Sequence, residues 1–170
     1  GRRSLRTKSS SRTKSMKQLF FILIAFFTVA VPAVAQQLKT TRWDSYGVSF
    51  KAPSDLTVED DSSEGYLAGN DTYYLTIQLL EGEGMKKEEL GQELKAIATD
   101  DEVTSQSDVQ PFELPQFHGV QLKGNCEEEK CVYCYLLAKD GSCGFYISIV
   151  YRQDNDKIPE TILKSFSMEE

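Results

Sequence analysis

The chain has 170 residues and a formal net charge of −7. Its first 35 residues carry seven basic side chains and no acidic one, so the remainder holds 12 basic side chains (19 less those seven) against 26 acidic ones. Because so acidic a domain repels nucleic acid and anionic lipid, we expect neither as a partner. The remaining length, about 135 residues, is usual for one domain, and an aromatic content of 11% excludes a disordered chain.

The pattern over 16–35 predicts a secretory signal peptide. A basic start precedes an apolar run over 19–31, and a small-x-small sequence ending at Ala35 is followed by polar Gln36. We therefore predict cleavage between Ala35 and Gln36 and a periplasmic or secreted location. The apolar run is short for a full span, so we expect no stable membrane anchor after cleavage. The basic segment 1–15 is interpreted as not native.

The first half of the remaining chain alternates as strands do and then changes period. Strands are predicted over 46–52, 56–59, 65–68 and 72–80. The last of them places four apolar residues on one side: Tyr73, Leu75, Ile77 and Leu79. Apolar positions four, seven and eight residues apart then predict a helix over 86–99. Its buried stripe is Leu90, Leu94, Ile97 and Ala98.

The second half predicts more strands and a closing helix. Residues 109–114 include Pro111 and can form only an edge or irregular strand, because proline has no N–H to give to a central ladder. Strands follow over 117–123, 132–138 and 145–151. A helix over 158–166 would bury Ile158, Ile162, Leu163 and Phe166.

The last two strands are predicted to form a hairpin. Asp140-Gly141 favours a type I′ turn, in which both central residues take positive φ. With that turn, residues whose numbers sum to 281 face each other, and the facing pairs are apolar. These pairs are Leu136 with Phe145, Cys134 with Ile147, and Val132 with Ile149. Three tyrosines then share the opposite face: Tyr133, Tyr135 and Tyr146.

The predicted fold is one α+β domain over 36–170, with element order ββββα-ββββα. Short hairpins require antiparallel neighbours, so we expect an antiparallel β-sheet flanked by two amphipathic helices. If the three tyrosines were uncovered, they would form an aromatic binding patch. We expect instead that the second helix covers them and that they belong to the core.

Segments at both ends of this domain resemble PsbP/DcrB-like domains. Residues 46–58 (YGVSFKAPSDLTV) are similar to the opening of those domains, and residues 162–166 (ILKSF) to their closing helix. The order of elements is similar too. Leu56 departs from the tryptophan frequent there, and the cysteine-bearing hairpin is a second departure. The resemblance implies an antiparallel sheet flanked by helices, and binding or accessory roles rather than catalysis.

Four cysteines in an exported chain favour disulfides over metal or redox chemistry. Cys126 and Cys131 bracket a short loop and are the predicted disulfide. Cys134 and Cys143 share a face but lie roughly 13 Å apart along the strands, beyond the ~7 Å that a disulfide allows. Three alternatives stay open for these two cysteines: a bulge or longer loop brings them together, they pair otherwise, or Cys134 is a buried thiol. A four-cysteine zinc site is excluded because Cys131 and Cys134 point to opposite faces of a strand.

A catalytic site would have to be built on a thiol. Cys143 lies in a Gly-Ser-Cys-Gly-Phe sequence that superficially resembles a protease nucleophile loop, and His118 is the sole histidine that could serve as its base. Because no orienting third group can be named, we predict no enzyme activity and no cofactor. The acidic segments are interpreted as solvated loops, and 154–156 lacks the glycine and glutamate of a calcium loop.

The leading hypothesis is a soluble exported binding or accessory protein without catalytic activity, with an unknown protein or small-molecule partner in the cell envelope. One alternative is a small thiol-dependent hydrolase or redox enzyme that uses Cys143 or Cys134 with His118. Another is an envelope-assembly or stress factor that recognises partner strands through the 109–114 edge.

Overall fold

The computed structural model describes residues 37–169. Within that range the chain forms five strands, a helix, four strands, a second helix and a short last strand. The strands are β1 (Leu38–Trp43), β2 (Val48–Pro53), β3 (Thr57–Ser62), β4 (Gly65–Gly69), β5 (Tyr74–Leu80), β6 (Gln110–Glu113), β7 (Phe117–Cys126), β8 (Glu129–Ala138), β9 (Gly144–Tyr151) and β10 (Ser167–Met168). The helices are α1 (Leu90–Asp100) and α2 (Ile158–Leu163), and the 3₁₀ turns are Asp44–Tyr46 and Lys87–Glu89.

The described strands form two antiparallel sheets. The large sheet has the order β3-β4-β5-β9-β8-β7-β6, and the small sheet has the order β1-β2-β10. The predicted α+β class with mainly antiparallel strands and two helices is confirmed. The predicted element order omits β1 and β10. In β1 only Trp43 is buried among polar residues, and β10 has two residues, so neither shows the alternation by which strands are recognised.

The large sheet separates two hydrophobic cores. On one face lie the small sheet and α2, where the ring of Phe50 stacks on that of Phe166 with centroids 4.9 Å apart. On the other face α1 packs against β7 and β8. The buried residues of α1 are those of the predicted stripe: Leu90, Leu94, Ile97 and Ala98. The fold is therefore layered, with α1 alone on one side of the large sheet among the described helices.

The second helix is shorter than predicted. It ends at Leu163 rather than at Phe166, and the N–H of Ser165 still donates to the carbonyl of Ile162 at 3.1 Å. Phe166 is buried all the same, because the chain turns there to place its ring against β2. Of the predicted stripe, Ile162, Leu163 and Phe166 are buried by the helix and the turn that follows it, whereas Ile158 is half-buried.

The β8–β9 hairpin has the predicted register but another turn. Strand pairing joins Leu136 with Phe145, and the other predicted pairs follow. The N–H of Gly141 donates to the carbonyl of Ala138 at 3.0 Å, and within this turn only Gly141 has positive φ, at +77°. The type I′ prediction is therefore wrong. The register does not depend on it, since apolar pairing along two long strands specifies the alignment.

No helix within residues 37–169 has both the length and the apolar character needed to cross a membrane. The predicted signal peptide and the segment before it lie outside the described residues.

Candidate functional site

The three tyrosines of the predicted patch lie on one face of the large sheet and are buried: Tyr133, Tyr135 and Tyr146. The covering helix is α1, so the expectation that the second helix covers them is wrong. The hydroxyls of Tyr133 and Tyr146 donate to Asp101 Oδ2, at 2.8 and 3.2 Å. Burial raises the pKa of both tyrosines, and the negative charge of Asp101 adds to the effect. These tyrosines tie the end of α1 to the sheet.

The same face carries a band of buried polar side chains that sequence reasoning missed. Thr76 of β5 faces Ser148 of β9, and Gln78 faces Tyr146. Thr76, Gln78 and Ser148 are no more than 5% exposed. Polar residues alternating with apolar ones predict a solvated face, which is why the sequence did not reveal the band. The α1 side of the sheet is consequently a mixed core, and on the small-sheet side Gln121, which faces Cys134, is a further buried polar residue.

The cysteines divide between the two faces. Cys126 and Cys131 lie on the α1 face with their sulfur atoms 2.8 Å apart. Cys134 and Cys143 pack with the opposite core, and burial raises the pKa of the fully buried Cys134 thiol. Because Cys131 and Cys134 point to opposite faces, the geometric objection to a four-cysteine zinc site holds in the structure.

His118 is held away from the cysteines with which a thiol enzyme would need it. Its Nδ1 lies 2.8 Å from Glu113 Oε1, and its neighbour Phe117 occupies the core that contains Cys134 and Cys143. Successive strand residues point to opposite faces, so His118 points to the other one. The structure therefore does not bring together the thiol and the base of the enzyme hypothesis.

The acidic segment 154–156 has structural partners. Asp154 pairs with Lys130 at 2.9 Å, while Asp156 accepts hydrogen bonds from the Tyr73 hydroxyl at 2.6 Å and from the Ile158 N–H at 2.9 Å. Among residues 37–169, no group of three or more His, Cys, Asp or Glu side chains could hold a metal ion.

The 109–114 segment contains β6, an outer strand of the large sheet as predicted. Leu114 and Phe117 exchange backbone hydrogen bonds, so in the alternating antiparallel pattern the outward backbone groups of β6 belong to Pro111 and Glu113. Proline has no N–H, which leaves Glu113 as the outward donor of this strand. An added strand could therefore form few backbone hydrogen bonds with β6.

A cleft of about 300 Å³ opens where the β6–β7 turn, the β8–β9 turn and the C-terminal residues meet. Its lining mixes apolar and charged residues: Pro115, Gln116, Ala138, Lys139, Asp140, Met168 and Glu169. The Gln116 side chain fixes the C-terminal wall, donating to the Met168 carbonyl at 2.9 Å and accepting from its N–H at 2.7 Å. On the other wall the Lys139 N–H donates to the Gln116 carbonyl at 2.9 Å.

Sequence reasoning did not find this cleft. Its walls come from segments distant in sequence. The sequence did not predict the β7–β8 register, in which Phe117 faces Ala138. That pairing places the two turns side by side.

Comparison with known families shows that the family described as dihydro-orotase-like matches residues 54–155. The chain belongs to the dihydro-orotase-like family. The matched residues include β3 to β9 and α1, which means the whole large sheet and one wall of the cleft. Comparison with curated proteins finds no match.

Solved structures share the fold. The Ran-binding protein Mog1p of Saccharomyces cerevisiae is 8% identical and superposes with a TM-score of 0.57 over 79% of this chain and 96% of its own. A mutant of the protein Mog1 is 9% identical, with a TM-score of 0.55 over 78% of this chain and 96% of its own. At such identity the likeness concerns the fold alone.

Proposed function

We propose that this chain is an exported binding protein without catalytic activity, and that it contacts a protein partner through the cleft between the two turns and the C-terminal residues. The observation that carries the proposal is the cleft, whose walls are joined to each other by hydrogen bonds of Gln116. A site with such walls needs little ordering when a partner binds, and ordering is a main cost of association.

The size and lining of the cleft favour a protein side chain as its occupant. Its volume of about 300 Å³ is at the lower end of the range for small-molecule pockets. Pro115, Ala138 and Met168 offer apolar contact, while Lys139 and Asp140 place opposite charges among the lining residues. An apolar side chain flanked by polar backbone fits this combination.

The fold supports this proposal by analogy. Mog1p, which shares the fold, is named as a Ran-binding protein, so this layered architecture can serve protein binding. Fold alone does not fix function, and the partner proposed here is a protein of the cell envelope because residues 16–35 are predicted to be a signal peptide. The family name refers to dihydro-orotase. We propose no such activity, because Asp101, Asp156 and the His118–Glu113 pair each engage separate structural partners.

The two alternatives have less support. A thiol enzyme needs His118 near Cys134 or Cys143, and these groups occupy opposite faces of the sheet. Partner recognition through the 109–114 edge needs outward N–H groups, and Pro111 removes one from a strand of four residues.

The proposal is tested by site-specific photo-crosslinking in cells that export the full chain. A crosslinking residue replaces Lys139 at the cleft or, as a matched control, Lys95 on the exposed side of α1. We expect an adduct of defined mass from position 139 and none from position 95. The adduct should disappear when unlabelled protein competes, and Lys139→Glu protein should compete more weakly. Equal labelling at both positions, or none at either, would overturn the assignment of the cleft.

A further inference from the structure

We propose that Cys126 and Cys131 form a dithiol–disulfide exchange site, in which an external disulfide reacts first at Cys126 and Cys131 then closes the internal bond. This inference is independent of the cleft, because the two sulfurs lie at the β7–β8 turn and on the other face of the sheet.

The hairpin brings the two sulfurs together. Cys126 faces Glu129, and Cys131 faces Gly124, so the cysteines are diagonal neighbours on one face of two adjacent strands. The connection is two residues long, and Glu127 takes a φ of +58° to close it. The sulfur atoms are 2.8 Å apart, and a covalent bond of about 2.05 Å requires them to approach by less than ~1 Å.

The pairing is selective. Cys134 and Cys143 pack with the opposite core, so the sheet itself separates them from Cys126 and Cys131. Strand alternation keeps Cys131 and Cys134 on different faces in every state that preserves β8. Cys143 lies beside Ala138, four residues along β8 from Cys134, which is roughly 13 Å at ~3.3 Å per residue and too far for a disulfide. One bond is therefore expected within this set of four cysteines.

Exposure gives the two sulfurs different tasks. Cys126 is partly exposed, whereas Cys131 is fully buried. The Cys126 thiolate attacks an external disulfide, forms a mixed disulfide and releases one external thiol. The Cys131 thiolate then attacks the Cys126 sulfur, forms the internal bond and releases the second external thiol. The two cysteines lose two protons and two electrons, and the external disulfide gains both pairs.

The bond would fix more than the hairpin. Asn125, next to Cys126, exchanges backbone hydrogen bonds with Thr104 at 2.9 and 2.8 Å. Thr104 follows α1, whose end is already held by Tyr133 through Asp101. Oxidation should therefore slow opening of the connection between α1 and β6, and reduction should loosen it.

The test equilibrates the full exported chain with reduced or oxidised glutathione, alkylates the remaining thiols after denaturation, and maps the linkage by mass spectrometry. We expect a Cys126–Cys131 linkage, with Cys134 and Cys143 alkylated. Cys131→Ser should accumulate glutathione on residue 126, whereas Cys126→Ser should take up little, and Cys143→Ser serves as the control that leaves the linkage unchanged.

A second readout does not depend on any variant. Amide hydrogen exchange at Thr104 and Asn125 should slow at least several-fold on oxidation of the native sequence, while exchange within β2 stays unchanged. Alkylation of all four cysteines after oxidation, a linkage to Cys134 or Cys143, or glutathione on residue 131 would each overturn the proposal.

Discussion

Replacement of Asp156 by alanine should destabilise the domain more than a substitution in a surface loop usually does. One carboxylate oxygen accepts a hydrogen bond from the Tyr73 hydroxyl at 2.6 Å, and the other accepts one from the N–H of Ile158 at the start of α2. A hydrogen bond to a charged group contributes about 1.5–3 kcal/mol, and loss of a side-chain bond at a helix start costs about 1 kcal/mol. Tyr73 is 4% exposed as a residue and its bond to Asp156 is half-buried, so removal of the carboxylate leaves that hydroxyl without this partner. We expect a loss of about 3 kcal/mol.

The measurement is urea unfolding of the domain, followed by circular dichroism and extrapolated linearly to water. Asp154→Ala is the matched control, because Asp154 is in the same loop and pairs only across an exposed contact with Lys130, for which the loss should stay below about 1 kcal/mol. Tyr73→Phe separates the two contributions of Asp156, since the double variant should lose less than the sum of the single ones. Equal effects of Asp154→Ala and Asp156→Ala would refute the reasoning.

Three further results are expected. Lys164 donates to Glu160 at 3.0 Å and lowers the pKa of that carboxyl despite partial burial. The pair therefore stabilises the fold above the ordinary pKa of glutamate, and this stabilisation is lost as the pH falls through the lowered pKa. Lys164→Gln should raise the pKa of Glu160, measured by carboxyl NMR, and should cost at most about 1 kcal/mol of unfolding free energy. Burial raises the pKa of Tyr133 and Tyr146. Their contribution to stability is therefore complete at pH values below the ordinary tyrosine pKa and is lost at higher pH. Tyrosinate absorbance should show that these two tyrosines ionise only when the protein unfolds in alkali. Leu94→Ala removes a side chain with 0% exposure beneath α1 and should lower the unfolding free energy by about 2–5 kcal/mol; a loss below that range would mean that α1 is not anchored there.

Patterns of period two and period 3.6 predicted most of the large sheet and both helices. The alternation over 72–80 correctly placed Tyr73, Leu75 and Ile77 in one core, and the apolar pairs of the hairpin specified its register. These signals succeed because one face of each element is strongly apolar and a shift by one residue would expose it.

Other features depend on contacts that no local pattern contains. β1 is recognised only through its pairing with β2, because most of its side chains are polar. Thr76 and Gln78 read as solvent-facing, yet they are buried. The cleft, likewise, requires the turn near Pro115 to lie beside the turn at Lys139, which follows from strand order and not from either segment alone.

The binding proposal depends on the predicted export of the protein. Cell fractionation followed by mass analysis of the native chain tests that export most directly. We predict a protein outside the cytosol whose first residue is Gln36. A cytosolic chain that retains the apolar run over 19–31 would contradict the account.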